Sequence, residues 1–291
     1  MKSSLFGAVL LASGIAASAV AQTAPAEASP DKSGFTLFDP TPDADLRSLC
    51  TDRPTKSTGP CTVDAGHLQI ESDIVNYLFD RSGGVDTTTW LVTNPTIKLG
   101  LTNTLDGEIN WSPYEIITIR DRATGATGRI EGVGDVYLRL KWALTGDDGG
   151  KIGFALAPYI KAPTARIGIG DGAVEGGLVA PLNLTLPSGF SLVIDPEADD
   201  LKNSLNDGRH LNTSVLASLG KGVSKSVTLS AELWSDFEFD PAGRRSQYSA
   251  DLGAAWIPAN APNLQLDGGV NLGLNNQTPG VQAYVGISRR F

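Results

Sequence analysis

Apolar and polar residues alternate along most of the chain after residue 65. In VGDVYLRLKWAL (133–144), every second residue from Val136 to Leu144 is apolar, and the residues between them include Tyr137, Arg139 and Lys141. The segments SVTLSAELWSDFEF (226–239) and NLQLDGGVNLGL (263–274) repeat this pattern. Successive side chains of a strand point to opposite faces, whereas a helix distributes them around its circumference. The pattern therefore predicts β-strands with one apolar and one polar face.

Twelve segments carry this alternation, and no helical periodicity interrupts them. Many are longer than the roughly 5–6 residues of an ordinary globular strand. The connections alternate between tight turns, such as LTNT and PSG, and longer links, such as PTARIGIGDGA. The predicted strands span residues 66–79, 87–100, 104–119, 131–144, 150–162, 173–187, 189–199, 209–220, 226–239, 246–257, 263–274 and 280–291.

Long strands, an even strand number and alternating short and long connections favour a membrane barrel. A strand needs about 9–11 residues to cross a bilayer, and bacterial outer-membrane barrels have even numbers of antiparallel strands. We expect an all-β fold, a single transmembrane antiparallel β-barrel of about 12 strands. The alternative is a secreted soluble β-sandwich that binds a ligand, in which the apolar faces lie inside.

The N-terminal part of the chain differs in composition from the rest. Residues 1–21 combine Lys2, an apolar stretch and a terminal AVA, which is typical of a cleaved signal peptide; the alternative is an uncleaved membrane anchor. Residues 22–64 form a leader in which residues 22–48 are predicted to be flexible, and residues 65–291 form the barrel. The leader as a whole is expected to be disordered or to act as a plug.

The leader contains both cysteines of the chain, Cys50 and Cys61. Because export places them in an oxidising compartment, we predict a disulfide between them. A metal site is the alternative, although only His67 lies nearby as a further ligand.

The chain ends on an alternating strand, VQAYVGISRRF (281–291), whose last residue is aromatic. This ending resembles the terminal strand by which bacterial outer-membrane barrels are recognised for assembly. The resemblance implies that Phe291 belongs to an assembly signal read by the barrel-assembly machinery. It also implies a location in the outer membrane of a Gram-negative bacterium, in contact with outer-membrane lipid.

Three further segments, TDRPTKS (51–57), TVDAGHLQIESDIVNY (62–77) and GVGDVYLRLKW (132–142), point to one family. Together with the terminal Phe291 they resemble the outer-membrane transporter family named for the MetA pathway of phenol degradation, over about residues 50–291. The resemblance implies a β-barrel that passes small, often aromatic, molecules by passive uptake. It supplies no catalytic residues.

If the apolar faces meet lipid, the opposite faces line a lumen that a solute can cross. Most of the charges there are acidic, which predicts a preference for cations and neutral solutes, unless the charges simply pair across strands. Inward aromatic residues, Tyr77 among them, either stack an aromatic solute or fill the barrel. The candidate solute path comprises Glu71, Asp73, Trp90, Lys98, Glu108, Asp135, Tyr137, Arg139, Lys141, Tyr159, Lys161, Glu232, Trp234, Asp236 and Tyr284.

Other functional classes receive less support from the sequence. With 32 acidic and 23 basic residues, the chain has no basic stripe for nucleic acid. We expect no cofactor, no metal and no catalytic residues. A phospholipase-like barrel hydrolase is the competing class, because GRHLNTS (208–214) places His210, Asn212 and Ser214 on one strand face. Short external loops argue against an adhesive barrel, and the oligomeric state stays open.

Overall fold

The computed structural model describes residues 31–291, so the predicted signal peptide and residues 22–30 lie outside the described part of the chain. Fifteen strands are present in it, with two short 3-10 turns at Asp43–Asp45 and Pro187–Gly189. None of its helices is long and apolar enough to span a bilayer. The strands are β1 (Leu68–Ser82), β2 (Val85–Thr102), β3 (Leu105–Trp111), β4 (Glu115–Asp121), β5 (Thr127–Gly132), β6 (Val136–Thr145), β7 (Ile152–Ala162), β8 (Glu175–Val179), β9 (Leu182–Leu186), β10 (Phe190–Lys202), β11 (Arg209–Gly222), β12 (Val227–Glu238), β13 (Arg245–Trp256), β14 (Leu264–Gly273) and β15 (Val281–Arg290).

These strands close into a barrel of twelve antiparallel barrel strands. The first strand, β1, pairs with β2 on one side and with β15 on the other, which closes the sheet. Three barrel strands are each built from two segments. The segments β3 and β4 form one barrel strand, and both pair with β2. The segments β5 and β6 form the next barrel strand, in which β6 pairs with β3 and β5 pairs with β4. The segments β8 and β9 form the third, and both lie between β7 and β10. The predicted fold class is confirmed.

The polarity of the barrel is the reverse of that of a soluble protein. On β6, Leu138, Leu140 and Trp142 are 48–52% exposed on the outer surface, while Lys141 between them has no exposed surface. In a closed sheet the backbone N–H and C=O groups of the first and last strands are paired with each other. A membrane requires this because the bilayer core offers no water to bind them. The soluble β-sandwich is therefore excluded. A closed barrel with an apolar exterior and a polar interior resides in the outer membrane of a Gram-negative bacterium.

The two ends of the barrel differ in their connections. The chain enters β1 and leaves β15 at the same end, where the other connections include the turns 103–104, 187–189 and 223–226. The opposite end carries the longest loop, 163–174, and the loops 203–208 and 239–244. Because short turns face the periplasm in such barrels and longer loops face outward, we call these the periplasmic end and the external end.

Aromatic side chains of the outer surface cluster near both ends. Towards the external end, Tyr77 packs on Trp90 with ring centroids 4.7 Å apart, and Phe237 packs on Tyr248 at 5.9 Å. Towards the periplasmic end, Trp142, Phe190 and Trp256 and the terminal Phe291 are exposed. Aromatic girdles at both interfaces are a standard feature of membrane barrels.

An irregularity in β1 and β2 reverses the facing of the residues beyond it. Ile74 and Thr93 are unpaired in the β1–β2 ladder, and Thr93 has a φ of 60°. Tyr284 on β15 points inward, because its hydroxyl contacts Pro54 of the plug, so the adjacent Ala283 points outward. Beyond the bulge, Tyr77 lies opposite Ala283 and therefore also points outward. Since Tyr77 also lies opposite Trp90, both rings face outward. The prediction that Tyr77 and Trp90 line the lumen is wrong, because an extra residue in a strand shifts the two-residue alternation.

Residues 31–48 follow the periplasmic rim of the barrel and do not hang free. The amide of Leu37 donates to the Leu101 carbonyl at 2.8 Å, and the amide of Thr41 donates to the Ala65 carbonyl at 3.0 Å. Over residues 31–48 the prediction of a flexible segment is therefore wrong. After this stretch the chain turns into the barrel lumen, so the plug-like alternative is the one observed.

Candidate functional site: the plugged lumen

A loop from the leader occupies the lumen, and we call residues 49–64 the plug. A disulfide joins Cys50 and Cys61 and closes the loop at its base, as the sequence predicted. The metal site that was the alternative for these cysteines is excluded. The side chains of this loop contact wall residues from strands all around the barrel, as the following contacts show.

Asp52 binds two lysines of the wall. Its carboxylate accepts from Lys98 at 2.5 Å and from Lys141 at 2.8 Å. Each lysine also contacts a wall carboxylate, Glu71 at 2.6 Å for Lys98 and Glu108 at 3.2 Å for Lys141. Charged side chains buried this deeply need paired partners. The plug therefore completes an ion-pair cluster that spans β1, β2, β3 and β6.

Arg53 makes the second set of contacts, which bridge the seam where β1 pairs with β15. Its guanidinium donates to Asp73 on β1 at 2.5 Å and to Asp267 on β14 at 2.8 Å. The same group lies over the ring of Tyr284, 5.6 Å from its centroid, and the Tyr284 hydroxyl donates to the Pro54 carbonyl. A planar guanidinium offers five donors in a fixed fork and can also stack on a ring, which suits it to these three partners.

Lys56 anchors the far side of the plug to β12 and β13. Its ammonium contacts Asp251 at 3.1 Å and lies 4.5 Å above the ring of Trp234. Its backbone amide donates to Glu232 at 3.0 Å. The amide of Thr58 donates to Asp195 on β10 at 2.6 Å. The plug is thus held by backbone groups as well as by charged side chains.

The end of the plug is tied to the periplasmic rim. The carboxylate of Asp64 accepts from Arg47 at 2.9 Å and from Arg290 at 3.0 Å, and the amide of Val63 donates to Asp106 at 2.9 Å. Arg290 comes from the last strand, so the leader and the closing strand are held together at the point where the chain enters the barrel.

Two wall glycines provide space for the plug. A side chain at Gly253 on β13 would meet the Ser230 hydroxyl of the wall at 2.6 Å and the Pro54 ring at 2.9 Å, and one at Gly286 on β15 would overlap the Arg53 guanidinium. A larger residue at either position therefore displaces Pro54 or the Arg53 side chain. The wall is therefore shaped to the plug as well as charged to match it.

Two cavities of the lumen border the plug. One, of about 310 Å³, lies between the plug and wall residues that include Asn94, Asn110, Tyr137 and Arg139. The other, of about 440 Å³, borders the periplasmic turns at 145–150 and 224–228 and the plug disulfide. A solute that crosses the barrel has to pass the plug between them.

Beyond the plug, the lumen carries a paired set of rings and charges. Tyr137 and Tyr159 have ring centroids 6.1 Å apart, and Arg139 lies over Tyr159 at 5.8 Å. The Tyr159 hydroxyl donates to Asp199 at 2.7 Å. This group lies near the external ends of β6 and β7.

Three more predicted residues, Lys161, Asp135 and Asp236, lie on the same inner wall. Lys161 contacts Glu175 at 2.6 Å and Asp135 at 3.6 Å. Asp236 accepts from Asn212 at 2.8 Å. The predicted path residues other than Trp90 thus face the interior, and the plug covers many of them: Glu71, Asp73, Lys98, Glu108, Lys141, Glu232, Trp234 and Tyr284.

The plug residues that hold this arrangement, Asp52, Arg53 and Lys56, are not among the site residues predicted from the sequence. All three belong to the motif TDRPTKS, which served only to indicate a family. A usable signal was present, because two basic residues in a leader complement an acidic surplus on the predicted inner wall.

The hydrolase alternative finds no support in the geometry of GRHLNTS. The imidazole of His210 contacts Asn203 through Nδ1 at 3.0 Å, whereas the Ser214 hydroxyl lies 3.5 Å from Glu197. Nucleophilic catalysis needs the base within hydrogen-bond reach of the hydroxyl. His210 and Ser214 have separate partners, and this arrangement does not activate the serine.

The fold and the lumen define an outer-membrane β-barrel that carries an internal plug. Residues 51–291 match the family described as "Putative MetA-pathway of phenol degradation", and the chain belongs to that family. Phe291 is exposed beside the first strand, with its amide donating to the Leu68 carbonyl at 2.8 Å. Its part in an assembly signal stays a prediction.

Solved structures with a similar fold are outer-membrane proteins. An outer membrane channel from Pseudomonas putida F1 is 14% identical with a TM-score of 0.62, covering 83% of this chain and all of that one. The NanC porin is 10% identical with a TM-score of 0.49, covering 76% of this chain and 98% of its own. At these identities the likeness concerns the fold. Among curated proteins, no sequence relative matches.

Proposed function

We propose that this protein is an outer-membrane channel for the passive uptake of small molecules, and that the plug closes its pore at rest. One observation carries the proposal: a polar lumen runs through the barrel, and a single stapled loop fills its middle. The plug is held by ion pairs and hydrogen bonds, which can break and re-form, and its disulfide lies within the loop, so no covalent bond joins it to the wall.

Small aromatic molecules are the solute class we propose. The external part of the lumen presents Tyr137 and Tyr159 beside the guanidinium of Arg139, which can stack a ring and bind a hydroxyl or carboxylate on it. The cavity of about 310 Å³ lies at the small end of the roughly 300–1,000 Å³ range of ligand pockets. Membership of a family described by phenol degradation points the same way.

Osmotic swelling of liposomes tests this proposal. Liposomes that contain the purified protein are placed in sugars, amino acids and phenolic compounds of increasing size, and protein-free liposomes serve as the baseline. We expect phenolic compounds to enter faster than sugars of equal mass. Tyr159→Ala should remove this preference but keep sugar entry, since the ring contacts solute and not the plug.

Two outcomes have different meanings. Equal entry of sugars and phenolic compounds contradicts the aromatic preference and leaves the channel intact. No entry of any solute, in wild type and in plug variants alike, contradicts the channel itself and favours a closed barrel with another role.

A further inference from the structure

Three potential metal ligands meet at the external end of the barrel, far from the plug. His210 is the second residue of β11, Glu238 ends β12, and Asp240 follows it in the loop 239–244. One ligand atom from each lies within 4.8 Å of the others. His210 Nε2 and the nearer oxygen of Glu238 are 3.6 Å apart.

The hydrogen bonds around His210 determine which ring nitrogen carries the proton. The Asn203 amide donates through Nδ2 to Asp207 at 3.0 Å, so its oxygen faces His210 Nδ1 at 3.0 Å. A carbonyl oxygen can only accept, and therefore Nδ1 carries the hydrogen. In the neutral ring the lone pair is then on Nε2. Metal-binding histidines are commonly held by such a contact at the second nitrogen.

The lone pair of Nε2 is left without a protein partner. His210 is only 8% exposed, and Nε2 has no hydrogen-bond partner among residues 31–291. It points towards Glu238, which also has lone pairs only. The lone pairs of a neutral imidazole and a carboxylate that face each other in this way repel. A cation between them can bind both Nε2 of His210 and Oε1 of Glu238.

Both carboxylates keep binding capacity. Glu238 accepts from Arg245 at 2.9 Å through Oε2, which leaves Oε1 towards His210. Asp240 accepts from the amides of Ser204 and Ala242, both at 2.8 Å. Each of its oxygens retains a second lone pair.

We propose that His210, Glu238 and Asp240 bind a divalent transition-metal ion of the zinc class. One imidazole and two carboxylates balance the charge of such an ion, and zinc binds nitrogen and oxygen ligands at about 2.0–2.2 Å. A tetrahedral ion at that bond length holds its ligand atoms roughly 3.4 Å apart, close to the 3.6 Å between His210 and Glu238. Imidazole favours zinc, copper and nickel over magnesium and calcium.

The site joins two external loops. Asp240 lies in the loop 239–244 and contacts the backbone of Ser204 in the loop 203–208, while Asn203 of that loop orients His210. Binding of the ion therefore fixes both loops at the external mouth of the barrel.

Zinc titration of the full-length protein in detergent tests the proposal, after treatment with a chelator and in competition with a chromophoric chelator. We expect one Zn²⁺ per chain at pH 7.5. His210→Ala should abolish binding, and Glu238→Gln should weaken it. Asn203→Ala should weaken binding about 10–100-fold, because the imidazole loses its orientation.

His67→Ala is the matched control, since His67 is the only other histidine and lies at the periplasmic end. Its two ring nitrogens contact the carbonyls of Thr41 and Phe291. This variant should bind as wild type does. The change in electrophoretic mobility on heating verifies that each variant is a folded barrel.

A visible absorption band of added Co²⁺ provides a second readout, which His210→Ala should remove. Folded wild type that binds no Zn²⁺, or binding that is unchanged in folded His210→Ala, overturns the proposal.

Discussion

Lys141 has no exposed surface, although it lies in the lumen of a membrane barrel. Its ammonium is held by Asp52 of the plug at 2.8 Å and by Glu108 of the wall at 3.2 Å. Lys98 shares the same Asp52 carboxylate. Without Asp52, two ammonium groups would stand close together with wall carboxylates alone. This one plug residue therefore couples the position of the loop to the charge balance of the wall.

The substitution Asp52→Asn should release the plug. Removing one partner of a buried ion pair costs about 3–5 kcal/mol, because the remaining charge is left uncompensated. We expect solute entry into liposomes to rise several-fold and cleavage of the plug by added protease to increase. Asp39→Asn, at an exposed carboxylate of the leader, should leave both measurements unchanged. Unaltered entry in Asp52→Asn would show that this contact does not hold the pore closed.

Gly253→Val should displace the plug by shape alone. The new side chain meets the Ser230 hydroxyl, which can rotate away, and the rigid Pro54 ring, which cannot, whereas valine suits the strand β13 itself. We expect faster solute entry with normal assembly of the barrel. Gly107→Val is the control, since its nearest neighbours are leucine side chains 3.8 and 3.9 Å away. If both variants conduct as wild type does, the fit between Gly253 and Pro54 is not part of the closure.

For single residues, the inward position of the wall residues could be predicted from the sequence, whereas their contacts with the plug could not. Alternation along a strand assigns Glu71, Lys98 and Lys141 to the polar face from local sequence alone. The partner of Arg53 is Asp267, 214 residues further along the chain. No periodicity relates a loop residue to a strand so distant, so only the folded barrel brings the pair together.

At the scale of the strand, most predicted boundaries fall within a few residues of the observed ones. In long amphipathic strands the ends can be predicted, because the alternation of apolar and polar residues stops where the strand ends. The interruptions were not predicted: the predicted strands 104–119, 131–144 and 173–187 each break into two segments. Proline explains two of the breaks, because Pro113 and Pro181 have no amide hydrogen to donate to a neighbouring strand.

The bulge at Ile74 and Thr93 was not predictable, because nothing in a β-branched threonine indicates a positive φ. It places Trp90 on the lipid side. In single-tryptophan proteins, brominated lipid should quench the fluorescence of Trp90 and leave that of Trp234 nearly unchanged. Trp234 lies inside, under the ammonium of Lys56. Equal quenching of the two would contradict the bulge and restore the simple alternation.

At the scale of the whole molecule, two cationic side chains of the plug face part of the acidic wall. Arg53 pairs with Asp73 and Asp267, and Lys56 pairs with Asp251. The preference for cations stays a prediction from the acidic wall residues. The expected pairing across strands accounts for only some of the charged side chains in the lumen, because others pair with the plug.

Removing both plug cations with Arg53→Met and Lys56→Met should therefore increase the preference for cations. Unpaired carboxylates along a pore attract cations and repel anions. Reversal potentials in planar bilayers under a potassium chloride gradient measure this preference. We expect a shift towards the potassium equilibrium potential relative to wild type. A preference for anions in both proteins would contradict the account of the lumen charges.

Single-channel conductance in planar bilayers tests closure by the plug most directly. Wild type is compared with a variant that lacks residues 31–64, and both are verified as folded barrels by their electrophoretic mobility. Wild type should stay closed or conduct weakly with brief openings, and the shortened barrel should conduct steadily at a higher level. Equal conductance of the two proteins, or a shortened barrel that stays closed, would contradict the claim that this loop closes the pore.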